Sequence, residues 1–261
     1  TSWIYADSVR NIRLTVEYEG TGFSGYQFQP EDPTVQGELE RALVELTGAP
    51  HRVQASGRTD AGVHALAQVV NFHTESDLPL KAFLHGVNAF LPEAIRVKSV
   101  AEMPLDFDSR RSAVRKTYLY RIYADHAPPV LMRAFTWWIY NNLDIEEMRR
   151  GASHLVGIHD FAGFRSAGCD SLTTIREITA VRVSREGNLI SIEVTGSGFL
   201  RNMVRIIVGT LVEIGQGRRK AESVSELLKD CDRGKAGITA PPQGLLLKEV
   251  FYGDEPLEVY P

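Results

Sequence analysis

Cysteine is almost missing from this 261-residue chain: only Cys169 and Cys231 occur, far apart and in no Cys-x-x-Cys spacing. That excludes a disulfide framework and a cysteine-based zinc site, and points to a reducing compartment. Long apolar runs are missing too, since no segment approaches the roughly 20 residues needed to cross a bilayer. The first residues, Thr1 to Arg10, hold Asp7 and Arg10 and no leader-like apolar stretch. The expectation is a soluble, cytoplasmic protein without a membrane association. Excess positive charge is absent as well: 29 Lys and Arg stand against 33 Asp and Glu, a net charge of -4. Such a chain does not grip nucleic acid over its whole surface. Cofactor signatures are also lacking. Gly20-Thr21-Gly22 has neither the third glycine nor the following helix of a dinucleotide loop, and no Walker motif occurs. His51, His64 and His73 have no metal-ligand spacing, so neither a metal nor a cofactor is expected.

What is present begins with Gly57-Arg58-Thr59-Asp60-Ala61-Gly62-Val63-His64, which puts a carboxylate between two glycines in a polar stretch between strands. Glycine tolerates backbone angles closed to other residues and lets a substrate approach the main chain, so Asp60 is a candidate for chemistry. The plainer reading is a strand connection in which the aspartate bonds a nearby backbone amide. A Ser56, Asp60, His64 triad has the right residue types, but nothing resembling a nucleophile elbow surrounds Ser56.

Positive charge is concentrated locally. Arg110, Arg111, Arg115, Lys116 and Arg121 interleave with Tyr118, Tyr120 and Tyr123, a combination suited to phosphates and unstacked bases. A second basic set comprises Arg201, Arg205, Arg218, Arg219 and Lys220. Arg201 and Arg205 are four apart on an expected helix and so project from one face. An arginine within ion-pair reach of Asp60 would hold that carboxylate charged and oriented. Tyr118 is either a core aromatic of its strand or a flat face and hydroxyl offered to a substrate.

Periodicity supplies the elements. Ile12, Leu14, Val16 and Tyr18 alternate with polar residues as in a half-buried strand. Thr34 caps a helix with Val35, Leu39, Ala42, Leu43 and Leu46 on one face, ended by Gly48. A short strand near Val53, the Asp60 turn and a strand from Ala67 to His73 follow. Pro79 opens a helix through Phe83, Val87 and Phe90, and Ala94 to Val100 reads as a strand. This order is β-α-β-β-α-β. In the second half come a strand from Ser112 to Tyr123, a helix begun by an Asp144/Glu147 capping box, and a hairpin around Glu186-Gly187-Asn188. A helix from Phe199 to Ile214 and a strand from Gly244 to Tyr252 complete it. The expected fold class is α+β: two ferredoxin-like (βαββαβ) halves, 1–107 and 108–261, with mixed, mainly antiparallel sheets and a central cleft.

Taken together these segments resemble the TruA family of tRNA pseudouridine synthases, in the family's order and over nearly the whole chain. Gly57 to Ala65 resembles the catalytic loop, Lys116-Thr117-Tyr118-Leu119-Tyr120 the tyrosine strand, and Phe199-Leu200-Arg201-Asn202-Met203-Val204-Arg205 the helix bearing the active-site arginine. Smaller likenesses are Gly22 to Gln27, Thr34-Val35-Gln36, Leu91-Pro92, His159-Asp160-Phe161 with Phe164-Arg165, and Gly244-Leu245. Glu19 and Tyr26 depart from the aspartate and tryptophan frequent in the family. The resemblance implies an isomerase that converts uridine to pseudouridine at positions 38 to 40 of the tRNA anticodon arm, without a cofactor, as a homodimer. It implies Asp60 as the essential carboxylate, Arg205 as its ion-pair partner and Tyr118 as the stacking residue with a part in removing the C5 proton. Arg58 would stabilise the flipped nucleotide. Lys116, Arg201 and Arg110 join Arg58 and Tyr118 as substrate-binding candidates. Two other readings stay open at this point: an RNA-binding module without catalysis, and an aspartate-dependent hydrolase of a nucleoside.

Overall fold

The computed structural model of the chain describes residues 9–168, 171–253 and 256–260; Asp7 and Cys169, noted in the sequence, lie outside them. The architecture is mixed α/β, with five α-helices and mainly antiparallel strands among the described residues. Two compact units divide it. One runs to Val114 and resumes at Leu247; the other extends from Arg115 to Leu246.

The first unit follows the order β1 (Arg10–Tyr18), α1 (Val35–Thr47), β2 (Gln54–Ala55), β3 (His64–Thr74), α2 (Leu80–Phe90), β4 (Ile95–Met103). The alternation in β1 places Ile12, Leu14, Val16 and Tyr18 in the core, while Arg13, Thr15 and Glu17 are half-buried. β1 lies between β3 and β4, antiparallel to both, and β2 pairs antiparallel with β3. α1 forms as its sequence dictates. Thr34 Oγ1 accepts the Gly37 N–H, and Val35, Leu39, Ala42 and Leu43 are buried along one stripe. The β1–β3 register shifts between the pairs Val16–Gln68 and Tyr18–Ala65, so that Leu66 and Ala67 together oppose Glu17. Such a bulge bends and twists a strand and re-aims its side chains. Here it lies just after the Asp60 loop.

β5 (Ala113–Ala124) leads into the second unit, which continues through β6 (Trp137–Ile139), α3 (Ile145–Ser153), β7 (Gly157–Asp160), β8 (Ile175–Glu186), β9 (Leu189–Gly196), α4 (Met203–Gly215) and α5 (Ser223–Asp230). β5, β9, β8 and β7 are neighbours in that order, all antiparallel, and β6 runs parallel to β5. α4 is apolar almost all round and buries Met203, Val204, Ile206, Ile207, Val208 and Leu211, as the innermost helix of a unit must. β10 (Leu245–Tyr252) carries the chain back to the first unit, where β11 (Glu258–Tyr260) pairs with β4.

Two expectations need correction. The expected capping box of α3 is only half formed: Asp144 accepts the Glu147 N–H, but the Asp144 amide donates to Gly215 O at 2.8 Å. Glu147 turns instead to Arg150, at 2.6 Å. The helix expected from Phe199 begins at Met203, because Asn202 takes a left-handed conformation with φ 60° and interrupts the helical path.

Candidate active site

Asp60 is half-buried in the loop between β2 and β3, with its neighbours Thr59 and Val63 buried and Arg58 and Ala61 exposed. The loop is held at its entry, middle and exit. At the entry the Ser56 amide donates to Val69 O at 2.8 Å and its hydroxyl to Gln68 Oε1 at 2.7 Å, while Gln68 Nε2 donates to Gly57 O at 2.8 Å. In the middle Thr59 O accepts the Tyr26 N–H at 3.0 Å, and Thr59 Oγ1 lies 2.7 Å from the Tyr18 hydroxyl. At the exit Val63 N–H returns to Asp60 O at 3.1 Å, closing a turn, and His64 Nδ1 accepts the Gly20 N–H at 2.9 Å.

Glycine matters here in a different place from the one expected. Gly62 is left-handed, φ 76°, but Gly57 is not; its carbonyl is instead fixed by Gln68. The second left-handed glycine is Gly25, φ 98°, where a β-carbon would sit 3.0 Å from Thr59 O. Gly20 is equally constrained, since a β-carbon there would overlap the Val63 carbonyl. The segment from Gly20 to Tyr26 thus lies backbone against backbone on the Asp60 loop. The Ser56 proton goes to Gln68 and His64 Nδ1 to Gly20, bonds that suit a scaffold rather than a nucleophile and base.

Burial pushes the Tyr18 phenol up to about 12, against the smaller opposing effect of its hydrogen bonds to Thr59 and Gln68. It therefore remains a neutral hydroxyl. Gln68 is completely buried, and sequence reasoning missed it; the available signal was an amide, one of two with Asn71, in the largely apolar strand from His64 to Thr74.

The second unit holds the other candidates. Tyr118 is buried in β5 opposite Val194, with the Phe199 ring edge-on at 5.0 Å, and Lys116 lies opposite Gly196. Arg205 is half-buried in the first turn of α4; its Nε donates to Ala240 O at 2.7 Å and its Nη1 to Asn202 Oδ1 at 2.8 Å. Asn202 in turn donates to Ser166 Oγ at 3.0 Å. Burial raises the Tyr120 phenol, with the Arg205 charge opposing, and its hydroxyl donates to Pro241 O. Arg201 does not share a helical face with Arg205. It precedes the helix, exposed, and reaches Gly168 O at 3.3 Å. Arg110, in the first unit, is exposed in a turn where Asp108 Oδ1 accepts its amide and that of Arg111. Among the described residues no group of three His, Cys, Asp or Glu is placed to hold a metal ion.

A family model described as tRNA pseudouridine synthase matches residues 14–110 and 152–253. The chain belongs to the tRNA pseudouridine synthase family. Within it, proteins named tRNA pseudouridine synthase A are similar to this chain over nearly its whole length. The protein of Geotalea uraniireducens is 49% identical over 94% of this chain and 100% of its own length. Those of Geotalea daltonii and Myxococcus xanthus are 48% and 46% identical, again over 94% of this chain, and over 100% and 93% of their own. Among solved structures, a chain from an archaeal box H/ACA sRNP complex aligns with TM-score 0.34 and 10% identity, covering 77% of this chain and 44% of that one. Pseudouridine synthases are isomerases, and the chain is an enzyme of that class. Asp60 and Arg205 fall inside the segments matched by the family model; Tyr118 falls between them.

Proposed function

We propose that this protein isomerises uridine to pseudouridine in the anticodon stem-loop of tRNA, at positions 38 to 40, with Asp60 as the essential carboxylate. The observation that carries the reading is the Asp60 loop. In a chain of this family, a half-buried aspartate sits on a loop in which Ser56, Gly57, Thr59 and His64 are tied to buried partners, with Arg58, two residues before it, exposed. Preorganisation of that kind is what a reacting group requires.

In the reaction the C1'–N1 bond breaks, the C1'–C5 bond forms, N1 gains a proton and C5 loses one to solvent. Asp60 either adds covalently to the nucleoside or takes a sugar proton so that the base detaches and turns. Arg205 pairs with that carboxylate, and its two bonds to Ala240 O and Asn202 Oδ1 support a fixed guanidinium. Tyr118 stacks on the uracil, and its edge-on packing against Phe199 supports a ring held in one plane. Arg58 stabilises the everted nucleotide. Lys116, Arg201 and Arg110 contact phosphate, which for Arg201 and Arg110 accords with their exposure. The enzyme acts in the cytoplasm as a homodimer, and the β-α-β-β-α-β order of the first unit supports a ferredoxin-like half.

Treating an unmodified tRNA transcript with the protein and mapping pseudouridine before and after tests the reading. New pseudouridine confined to positions 38 to 40 is expected. Modification elsewhere in the tRNA would contradict the assigned location, binding without modification would favour an RNA-binding module, and release of free uracil a hydrolase.

A further inference from the structure

A buried relay of side chains runs from β3 to the residue preceding Asp60. Gln68 is fully buried, and its amide orientation is dictated by its partners: Gly57 O can only accept, so Nε2 faces it, leaving Oε1 for the Ser56 hydroxyl. The same Nε2 lies 3.4 Å from the Tyr18 oxygen, which accepts from it, and the Tyr18 and Thr59 hydroxyls share a hydrogen bond at 2.7 Å. The Thr59 carbonyl is held from the other side by the Tyr26 amide at 3.0 Å. The links join specific polar atoms among buried residues, so the loop cannot slide along them as it could along an apolar contact without leaving a buried polar group unpaired.

From this we infer that Tyr18 and Gln68 are positioning residues for Asp60, acting through Thr59 and Gly57. The inference rests on the reading of Asp60 given above. Neither side chain touches substrate; their effect is to fix where the carboxylate stands, and a displacement near 1 Å at a reacting group costs on the order of 100-fold in rate.

The test uses the full chain, with single-turnover rates and KM on unmodified tRNA and folding checked by circular dichroism. Thr59→Val, which keeps the shape and removes the hydroxyl, and Tyr18→Phe are each expected to lower the rate of the chemical step about 10- to 100-fold with KM unchanged. Thr59→Ser, which keeps the hydroxyl, restores most of the rate. The double variant Tyr18→Phe/Thr59→Val is expected to be no slower than the worse single one, because one bond is lost in all three. If Asp60→Ala kept its turnover, the reading of the site itself would be wrong. If Asp60→Ala were inactive while folded Tyr18→Phe and Thr59→Val kept the full rate, or if Thr59→Ser were as slow as Thr59→Val, the positioning role would be overturned.

Discussion

His64 keeps its imidazole inside the first unit with Nδ1 turned to the amide of Gly20, at 2.9 Å. A nitrogen that accepts an N–H carries no proton, so the ring is neutral with hydrogen on Nε2. An asparagine places an acceptor at the corresponding atom, whereas alanine leaves the Gly20 amide buried and unpaired. His64→Ala should therefore be less stable than His64→Asn by about 1–3 kcal/mol, read from denaturant midpoints. Equal midpoints would show that the bond to Gly20 contributes nothing. The loop that carries Asp60 was legible in the sequence, because glycines and polar residues interrupt two strands. Gln68 and Tyr18 were not, because their roles arise from a buried contact between strands, and a strand's own pattern records burial but not partners.

At the scale of elements, α4 shows where sequence patterning stops. Its apolar positions marked the helix, but its start lies at Met203 because Asn202 is left-handed, a conformation that no periodicity reveals. The same asparagine holds Arg205 and Ser166. Glycine suits φ 60° and lacks the amide. Asn202→Gly is accordingly expected to keep the helix and its stability within about 1 kcal/mol, while removing the guanidinium's bond to Asn202 Oδ1 but not that to Ala240 O, and slowing turnover roughly 10-fold. A kinetic comparison with the parent enzyme checks this, and an unchanged turnover would remove Asn202 from the account. α1 was legible because cap, stripe and terminator coincide, and α2 because an apolar stripe follows Pro79, although no side chain caps it. β6, β7 and β11 were not, since strands of three or four residues are too short to show alternation.

For the whole molecule, folding depends on phenols kept from water. Burial raises Tyr18 to about 12 and also raises Tyr26, Tyr120 and Tyr252. Below the ordinary tyrosine value both folded and unfolded chains keep these protons and the stabilisation is whole. Between about 10 and 12 the unfolded chain loses protons that the fold retains, so stability falls as pH rises, by about 1.4 kcal/mol per pH unit for each such group. Urea titrations from neutral to strongly alkaline pH should show that decline, and Tyr18→Phe should make it shallower; a flat profile would contradict it. The net charge of -4 makes a second prediction about the molecule as a whole. If tRNA is gripped by local basic residues, affinity should fall steeply between low and moderate salt, and a flat response would count against phosphate contacts. The return of the chain to the first unit through β10, and the pairing of β11 with β4, escaped sequence reading because partner choice between strands is a long-range property.

Release of tritium from tRNA labelled at C5 of uridine reports the isomerisation itself, and comparing the enzyme with Asp60→Ala tests the role of that carboxylate most directly. The account predicts that the variant binds tRNA but releases no tritium above background. Tritium release by a folded Asp60→Ala protein at the parent rate would contradict it.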